Sequence, residues 1–229
     1  MTFCSLSGQT EHKNRVIILT DIEADPDDTQ SLVRLLLYTN EIDVKGIVAT
    51  TSCWHKTMVN PESIRKVVRA YEKVQPNLAK HDAAYPKAET LYPLIKSGLP
   101  EYGMQGVGKE KDSEGSDWII RELESSDDRP LWISVWGGSN TLAQALYKIK
   151  NTKPETELKT LVAKLRVYAI SDQDDSGIWI RNNFPDLFYI VSPGDDYGSA
   201  TWSSINTYVQ GINNGKISIL CLVTISIIS

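Results

Sequence analysis

Short apolar runs alternate along this chain with longer stretches whose apolar residues recur at helical spacing. The first run, RVIILT (15–20), is continuous through its centre, as strands buried on both faces of a parallel sheet are. DTQSLVRLLLYTN (28–40) follows, with Leu32, Val33, Leu35 and Leu36 spaced for one helical face. VKGIVATTS (44–52) predicts a second strand. NPESIRKVVRAYEKVQPNL (60–78) predicts a helix with an Asn cap, Pro at its first position and Glu behind it, ending before Pro76. SDWIIRELESSDD (116–128) predicts another capped helix, PLWISVWGG (130–138) a third strand and SNTLAQALYKIKN (139–151) a helix opened by polar caps. KLRVYAIS (164–171) and DLFYIVS (186–192) predict a fourth and a fifth strand. The segment 105–116 reads as a glycine-rich, charged loop, and no internal repeat or long linker interrupts the pattern.

Strand then helix, repeated at this spacing, gives right-handed crossovers. The expected fold class is therefore α/β, an open, mainly parallel sheet with flanking helices. In such sheets ligands bind outside the carboxyl ends of the strands. Polar residues gather there: TDIEADPDD after the first strand, TTSCWH after the second, WGGSN after the third and SDQDDSG after the fourth.

Composition narrows the partners. The length of 229 residues suits one α/β domain or two small ones, and 41% hydrophobic residues suffice for a sizeable core. A net charge of −5 without a Lys/Arg stripe argues against nucleic acid. Cys4, Cys53 and Cys221 are odd in number and scattered, so neither a disulfide framework nor a zinc site is expected. MTFCSLSGQTEHKN lacks the apolar core of a secretory signal, which favours the cytoplasm unless a leader has been lost. The other end, KISILCLVTISIIS (216–229), is too short to span a bilayer and reads as a buried strand or an aggregation-prone segment. Termini ordinarily lie at the surface, so the expectation is a chain cut short, with homo-oligomerisation or poor solubility as the consequence of its tail.

The acidic loop carries the chemistry. Asp21, Glu23, Asp25, Asp27 and Asp28 fall within eight positions. A solvated helix N-terminus accounts for Asp27 and Asp28, which meet the helix dipole favourably, but not for Asp21 and Glu23 at the end of a buried strand. An EF-hand needs Gly at its sixth position and Glu at its twelfth, where this chain has Pro26 and Leu32. An Asp-nucleophile phosphatase needs Asp-x-Asp, against Asp21-Ile22-Glu23 here. A hard cation held by carboxylate oxygens, relieving their mutual repulsion, leads.

An apolar strand followed by Asp-x-acid-x-x-x-Asp-Asp at the start of a helix resembles the metal motif of calcium-dependent nucleoside hydrolases, with Asp21, Glu23, Asp27 and Asp28 on its acidic positions. KGIVATTS resembles their second-strand segment and SVWGGSNTLAQAL (134–146) their Gly-Gly/Pro-x-Thr-Asn-x-Ala block. SLVRLLLYTNEIDVKGIVATTSCW, YGMQGVG, DDRPLWISVWGGSNTLAQAL and ISDQDDSGIWIRNNFPDLFYIVSPG are similar to a divergent branch, the nucleoside hydrolase-like domain of cellulose-binding-type proteins. The resemblance covers about residues 15–206, leaving 207–229 as an atypical apolar tail.

The resemblance implies hydrolysis of an N-glycosyl bond in a nucleoside-like or other glycoside by a calcium-activated water. It implies Glu23, Asp28 and the Trp136 carbonyl as Ca²⁺ ligands, Asp27 on a ribose hydroxyl, Glu23 or Asp27 as the base, and Asp21 orienting the cluster from behind. A sugar-binding domain without turnover is the alternative. Glu23 stands where the nucleoside hydrolases carry Asp, Cys53 and Trp54 occupy the neighbourhood of their ribose-binding Asn, and their last Asp ligand has no counterpart before the tail.

Asp172, Asp174 and Asp175 read either as a hydrophilic turn or as sugar contacts. Trp54, Trp136 and Trp179 fall at loop–strand junctions of the same rim, where they would make a stacking surface, whereas Trp118 and Trp132 read as core. Ser139 and Asn140 read as helix caps, with Asn140 also available to brace the Trp136 carbonyl. His55, in a polar loop, is expected to face solvent; His12 and His81 carry no signal.

Overall fold

The structure is a computed structural model that describes residues 12–192. The predicted apolar tail and the end of the predicted domain lie outside the described residues. Six parallel strands form one sheet in the order β3-β2-β1-β4-β5-β6. They are β1 (Asn14–Thr20), β2 (Ile42–Ala49), β3 (Ile95–Ser97), β4 (Leu131–Val135), β5 (Leu165–Ala169) and β6 (Phe188–Val191). Seven α-helices accompany them: α1 (Pro26–Leu36), α2 (Pro61–Leu78), α3 (Ala88–Leu91), α4 (Glu114–Leu123), α5 (Asn140–Thr152), α6 (Glu155–Lys164) and α7 (Ser176–Asn183).

Strand β1 lies at the centre because its residues have no solvent-facing side. Val16 and Ile18 pack on one face with Leu32, Leu35 and Leu36 of α1 and Ile64 and Val68 of α2. Ile17 and Leu19 pack on the other with Leu142, Leu146 and Ile149 of α5 and Ile180 of α7. Each such Ile or Leu, wholly removed from water, stabilises the fold by about 1.5–3 kcal/mol. At the amino ends of the strands, fully buried Arg15 donates to Ser125 Oγ, Asp127 O and Glu122 O, and Arg129 pairs with Asp127 and Asp43. That ionic cluster closes the end of the sheet opposite the polar loops.

The structure departs from the sequence expectations in several places. Helix α2 runs through Pro76 to Leu78. The proline falls in the last turn, where Gln75 Nε2 donating to Tyr85 O, Tyr71 Oη donating to Pro86 O and Leu78 packed against the core hold the helix end in place. The sheet has a sixth strand, β3, whose three residues are too few to display a period. Helix α4 starts at Glu114, two residues early, because Ser113 and Ser116 form a reciprocal capping box. SDQDDSG is not wholly a turn, since α7 begins at Ser176. Trp179 accordingly sits on α7, half-buried against Phe184, rather than at a loop–strand junction.

Candidate functional site

The strand order reverses at β1, with β2 and β3 to one side and β4 to β6 to the other, so the crevice of this sheet opens between the carboxyl ends of β1 and β4. Backbone bonds draw the loops together there. Trp136 N and Gly137 N donate to Leu19 O, Gly138 N to Thr51 O, and Thr50 N to Thr20 O. Asp21 leaves β1 against the Gly137 backbone, where any Cβ would come within 2.8 Å of the Asp21 side chain. Glycine is required at 137 for that approach.

The chain then turns through Ala24 N to Asp21 O, with Glu23 in the left-handed region at φ 78. Asn60 Nδ2 ties Ile22 O down from α2. Glu23 is exposed, whereas Asp28, one turn into α1, is buried and accepts a hydrogen bond from Thr20 Oγ1. Burial drives the Asp28 carboxyl well above the usual carboxylate range, with Asp21 and Asp27 adding to the rise. Burial likewise raises Asp21, against hydrogen bonds from Ser52 and Asp28, and raises Asp27, with Asp21 contributing. Asp25 is pushed up to about 6 by burial, Asp27 and Asp21, with His55 opposing. Among the described residues, no Lys or Arg offsets these four carboxyls.

This donor set fits a hard cation in its chemistry: desolvated carboxylate oxygens with His55 but no Lys or Arg beside them among the described residues. It is not a finished cage. Among the described residues, no three acidic, His or Cys side chains are arranged around a common metal position. Of the three expected ligands, Asp28 lies at the centre, Glu23 faces solvent, and the Trp136 carbonyl accepts Gln173 Nε2 at 2.5 Å.

The Ser139–Asn140 pair does not cap α5 by its side chains. Ser139 Oγ bonds Ser176 Oγ and Asp174. Asn140 Nδ2 donates to Glu101 O and Thr51 Oγ1, and its Oδ1 accepts from Thr50 Oγ1. Asn140 therefore clamps three loops, while Gln173, not Asn140, braces the Trp136 carbonyl. Asp174 is buried with its oxygens taken by Asn140 N, Ser176 N and Oγ, and Ser139 Oγ; burial raises its carboxyl despite them. Asp175 is exposed and accepts Met104 N. Trp54 is 59% exposed on the rim, whereas Trp136 is buried with its indole N–H on Ser134 Oγ. Trp118 and Trp132, expected in the core, are half-buried on its margins.

His55 is the residue sequence reasoning set aside. Its Nδ1 is buried without a hydrogen-bond partner, and its ring lies close enough to Asp21 and Asp25 to lower both. Ser52, which bonds Asp21 and accepts from Trp54 N and His55 N, and Thr20 were also missed. Their signal was placement alone, at the end of a strand.

An open parallel sheet with acidic residues gathered at its switch point defines an α/β domain with a ligand crevice between β1 and β4. The chain belongs to the family described as cellulose-binding Sde182, nucleoside hydrolase-like domain, which matches residues 15–218. It is similar to a solved nucleoside hydrolase-related hypothetical protein from Saccharophagus degradans that is associated with carbohydrate metabolism. The identity is 44% and the TM-score 0.77, covering 81% of this chain and 47% of that one. This chain thus spans about half the length of that neighbour. No curated protein matches it. The family and fold expected from the acidic motif and the strand pattern are both borne out. Among the described residues, no helix is long and apolar enough to cross a membrane.

Proposed function

We propose that the chain binds a nucleoside-like or related glycoside, together with Ca²⁺, in the β1/β4 crevice and hydrolyses its N-glycosyl bond. The observation that carries this reading is the cluster of desolvated carboxyls, Asp21, Asp25, Asp27 and Asp28, at the switch point with no Lys or Arg among the described residues to balance them. The neighbour's association with carbohydrate metabolism supports a glycoside as ligand. Asp28, Glu23 and the Trp136 carbonyl would hold the ion, which when bound supplies a lowered water pKa and a clamp for sugar hydroxyls. Asp27 would bind a sugar hydroxyl, and Glu23 or Asp27 would take the proton from the attacking water. Asp21 orients Asp28 from behind. Trp54 would offer the sugar a stacking face, with the exposed Asp175 further along the rim.

A second reading, carbohydrate binding without turnover, draws on two features: Glu23 is exposed, and the Trp136 carbonyl is engaged by Gln173. Calorimetric titration of Ca²⁺ into the chain and an Asp28→Ala variant, followed by a nucleoside hydrolysis panel, separates the two. Binding that vanishes in the variant, with turnover, supports the hydrolase. Ca²⁺ and glycoside binding without turnover favours the second reading. Absence of Ca²⁺ binding ends the hydrolase reading.

A further inference from the structure

Two aromatic side chains on the rim of the crevice stand on loops that are pinned separately. Trp54, largely exposed, follows β2, where Ser52 Oγ accepts from Trp54 N and His55 N while Ser52 N donates to His55 O. Tyr102, half-buried, follows β3. Before it, Glu101 O accepts from Thr51 Oγ1 and Asn140 Nδ2; after it, Met104 N donates to Asp175 Oδ1 at 2.8 Å. Gly103 makes that turn at φ 53, against an Asp175 carboxylate with which a Cβ would collide. Lys56 joins the two loops, its ammonium 5.0 Å from the centre of the Tyr102 ring. Burial and Asp21 raise the Cys53 thiol with Lys56 opposing, and burial raises the Tyr102 hydroxyl with Asp174, Cys53 and Asp175 adding to it. Cys53 thus lies between the carboxyls and the Lys56–Tyr102 pair, which continues the crevice outwards. Neither ring belongs to the apolar clusters on the two faces of the sheet. Aromatic rings held rigidly on loops, outside the core, are suited to contact a ligand.

We infer that Lys56 and Tyr102 form a second sugar subsite beside Trp54, so that the ligand of this crevice is a chain of at least two β-linked pyranoses rather than a lone nucleoside. The inference rests on the glycoside reading of the crevice, in its hydrolytic or its binding form, and needs no metal ion. A pyranose with equatorial substituents has flat C–H faces and a rim of hydroxyls. The faces suit an indole or a phenol ring, and the hydroxyls suit donors and acceptors at the ring edges. Lys56 Nζ supplies N–H donors beside Tyr102, the exposed Asp175 supplies carboxylate oxygen, and Tyr102 Oη supplies both kinds of partner. A nucleobase stacked on Trp54 would leave the Lys56–Tyr102 pair without a ligand. A chain extended through a hydroxyl of the crevice sugar meets both, and it leaves the anomeric carbon of that sugar for the bond at the carboxyls. Because both loops are pinned before the ligand arrives, little ordering cost offsets the added contact.

Calorimetry on the full chain tests this with glucose, its β-1,4-linked dimer, trimer and tetramer, and inosine. The expected result is an affinity that rises about fivefold to tenfold from glucose to the trimer, the scale of one added aromatic contact. In Tyr102→Ala the trimer-to-glucose ratio should fall towards one. Tyr102→Phe, which keeps the ring and its packing, should retain most of the ratio, and Lys56→Met should lower it. Urea midpoints of the variants separate a lost contact from a damaged fold. Equal affinity for glucose and the trimer in the parent would overturn the inference, as would a parent-like ratio in a folded Tyr102→Ala. A Tyr102→Ala loss as large for inosine as for the trimer would also overturn it, since Tyr102 would then shape the whole crevice. Glucose binding without dependence on chain length leaves the glycoside reading standing and removes the second subsite. If no saccharide and no inosine binds, both fall.

Discussion

Replacing Asn140 by Ala probes how the crevice is held open. Asn140 is 2% exposed at the start of α5, and its carboxamide makes three hydrogen bonds: to Glu101 O at 2.7 Å, to Thr51 Oγ1 at 3.1 Å and from Thr50 Oγ1 at 2.7 Å. Each net bond is worth about 1 kcal/mol, so the ceiling from bonding alone is about 3 kcal/mol. Two partners keep an alternative. Glu101 O still accepts from Thr51 Oγ1 at 2.9 Å, and Thr50 Oγ1 lies 3.4 Å from Gly138 O. The Thr51 bond is present in the parent as well, so only Thr50 Oγ1, by tightening onto Gly138 O, recovers one bond in three, which leaves a loss of about 2 kcal/mol. In a chain of this size that lowers the melting temperature by about 4–8 °C. Asn140→Asp should be worse. It keeps an acceptor for Thr50 but turns carboxylate oxygen towards the Glu101 carbonyl, close to the buried Asp174 that Asn140 N already contacts. Urea denaturation followed by tryptophan fluorescence measures both. A loss under about 0.5 kcal/mol in Asn140→Ala, the range of an ordinary surface change, would show that the loops are held by other bonds.

In EDTA, stability of the parent chain should fall as pH rises from 4 to 8. Asp28 and Asp25 have folded values above their unfolded ones, so the folded chain binds protons that the unfolded chain has released, and stability is lost as they ionise. Asp28→Asn, a mimic of the protonated form, should flatten that slope and match or exceed the parent at pH 7 in a urea series; a steeper fall in the variant would contradict the sign. Gly137→Ala places a methyl 2.8 Å from Asp21 and should cost about 1–3 kcal/mol in the same assay, with Ca²⁺ affinity falling alongside. An unchanged urea midpoint would mean that Asp21 moves freely. Trp54→Ala, at an exposed position, should leave stability within about 0.5 kcal/mol yet weaken glycoside binding in calorimetry. Unchanged binding would remove Trp54 from the ligand surface.

The elements legible in the sequence were those whose own residues hold the reason for their structure. RVIILT had to be a central strand because both of its faces are apolar, and α1, α2 and α5 carry apolar stripes that match the sheet. Strand β3 and helix α7 were illegible for opposite reasons. The three residues of β3 are too short for any period, and it exists because β2 offers Ile47, Val48 and Ala49 as a template. Helix α7 starts inside SDQDDSG, a stretch with a turn's composition, because Asp174 takes up Ser176 N and so ends the turn after two residues. Pro76 misled for a similar reason: contacts from Tyr85 and Pro86 outweigh what one proline costs a final turn.

The same division runs through the site. Thr20, Asp21 and Asp28 meet within one strand-to-helix turn, so their crowding is visible in nine consecutive positions, and the raised carboxyls follow from burial at a strand end. Gln173 meets the Trp136 carbonyl across 37 residues and Asn140 meets Thr51 across 89, through the pairing of β4 with β5 and of β1 with β2 and β4. No local period encodes that strand order, and a glutamine among three aspartates differs in composition from any other polar loop residue. His55 escaped for a related reason: a loop histidine has no sequence mark of depth, and only the folding of Ser52 onto Asp21 draws the imidazole beside the carboxyls. An acidic motif therefore announces where charge will be concentrated, while the neutral groups that bound and orient that charge become identifiable only when the strand order has placed them around it.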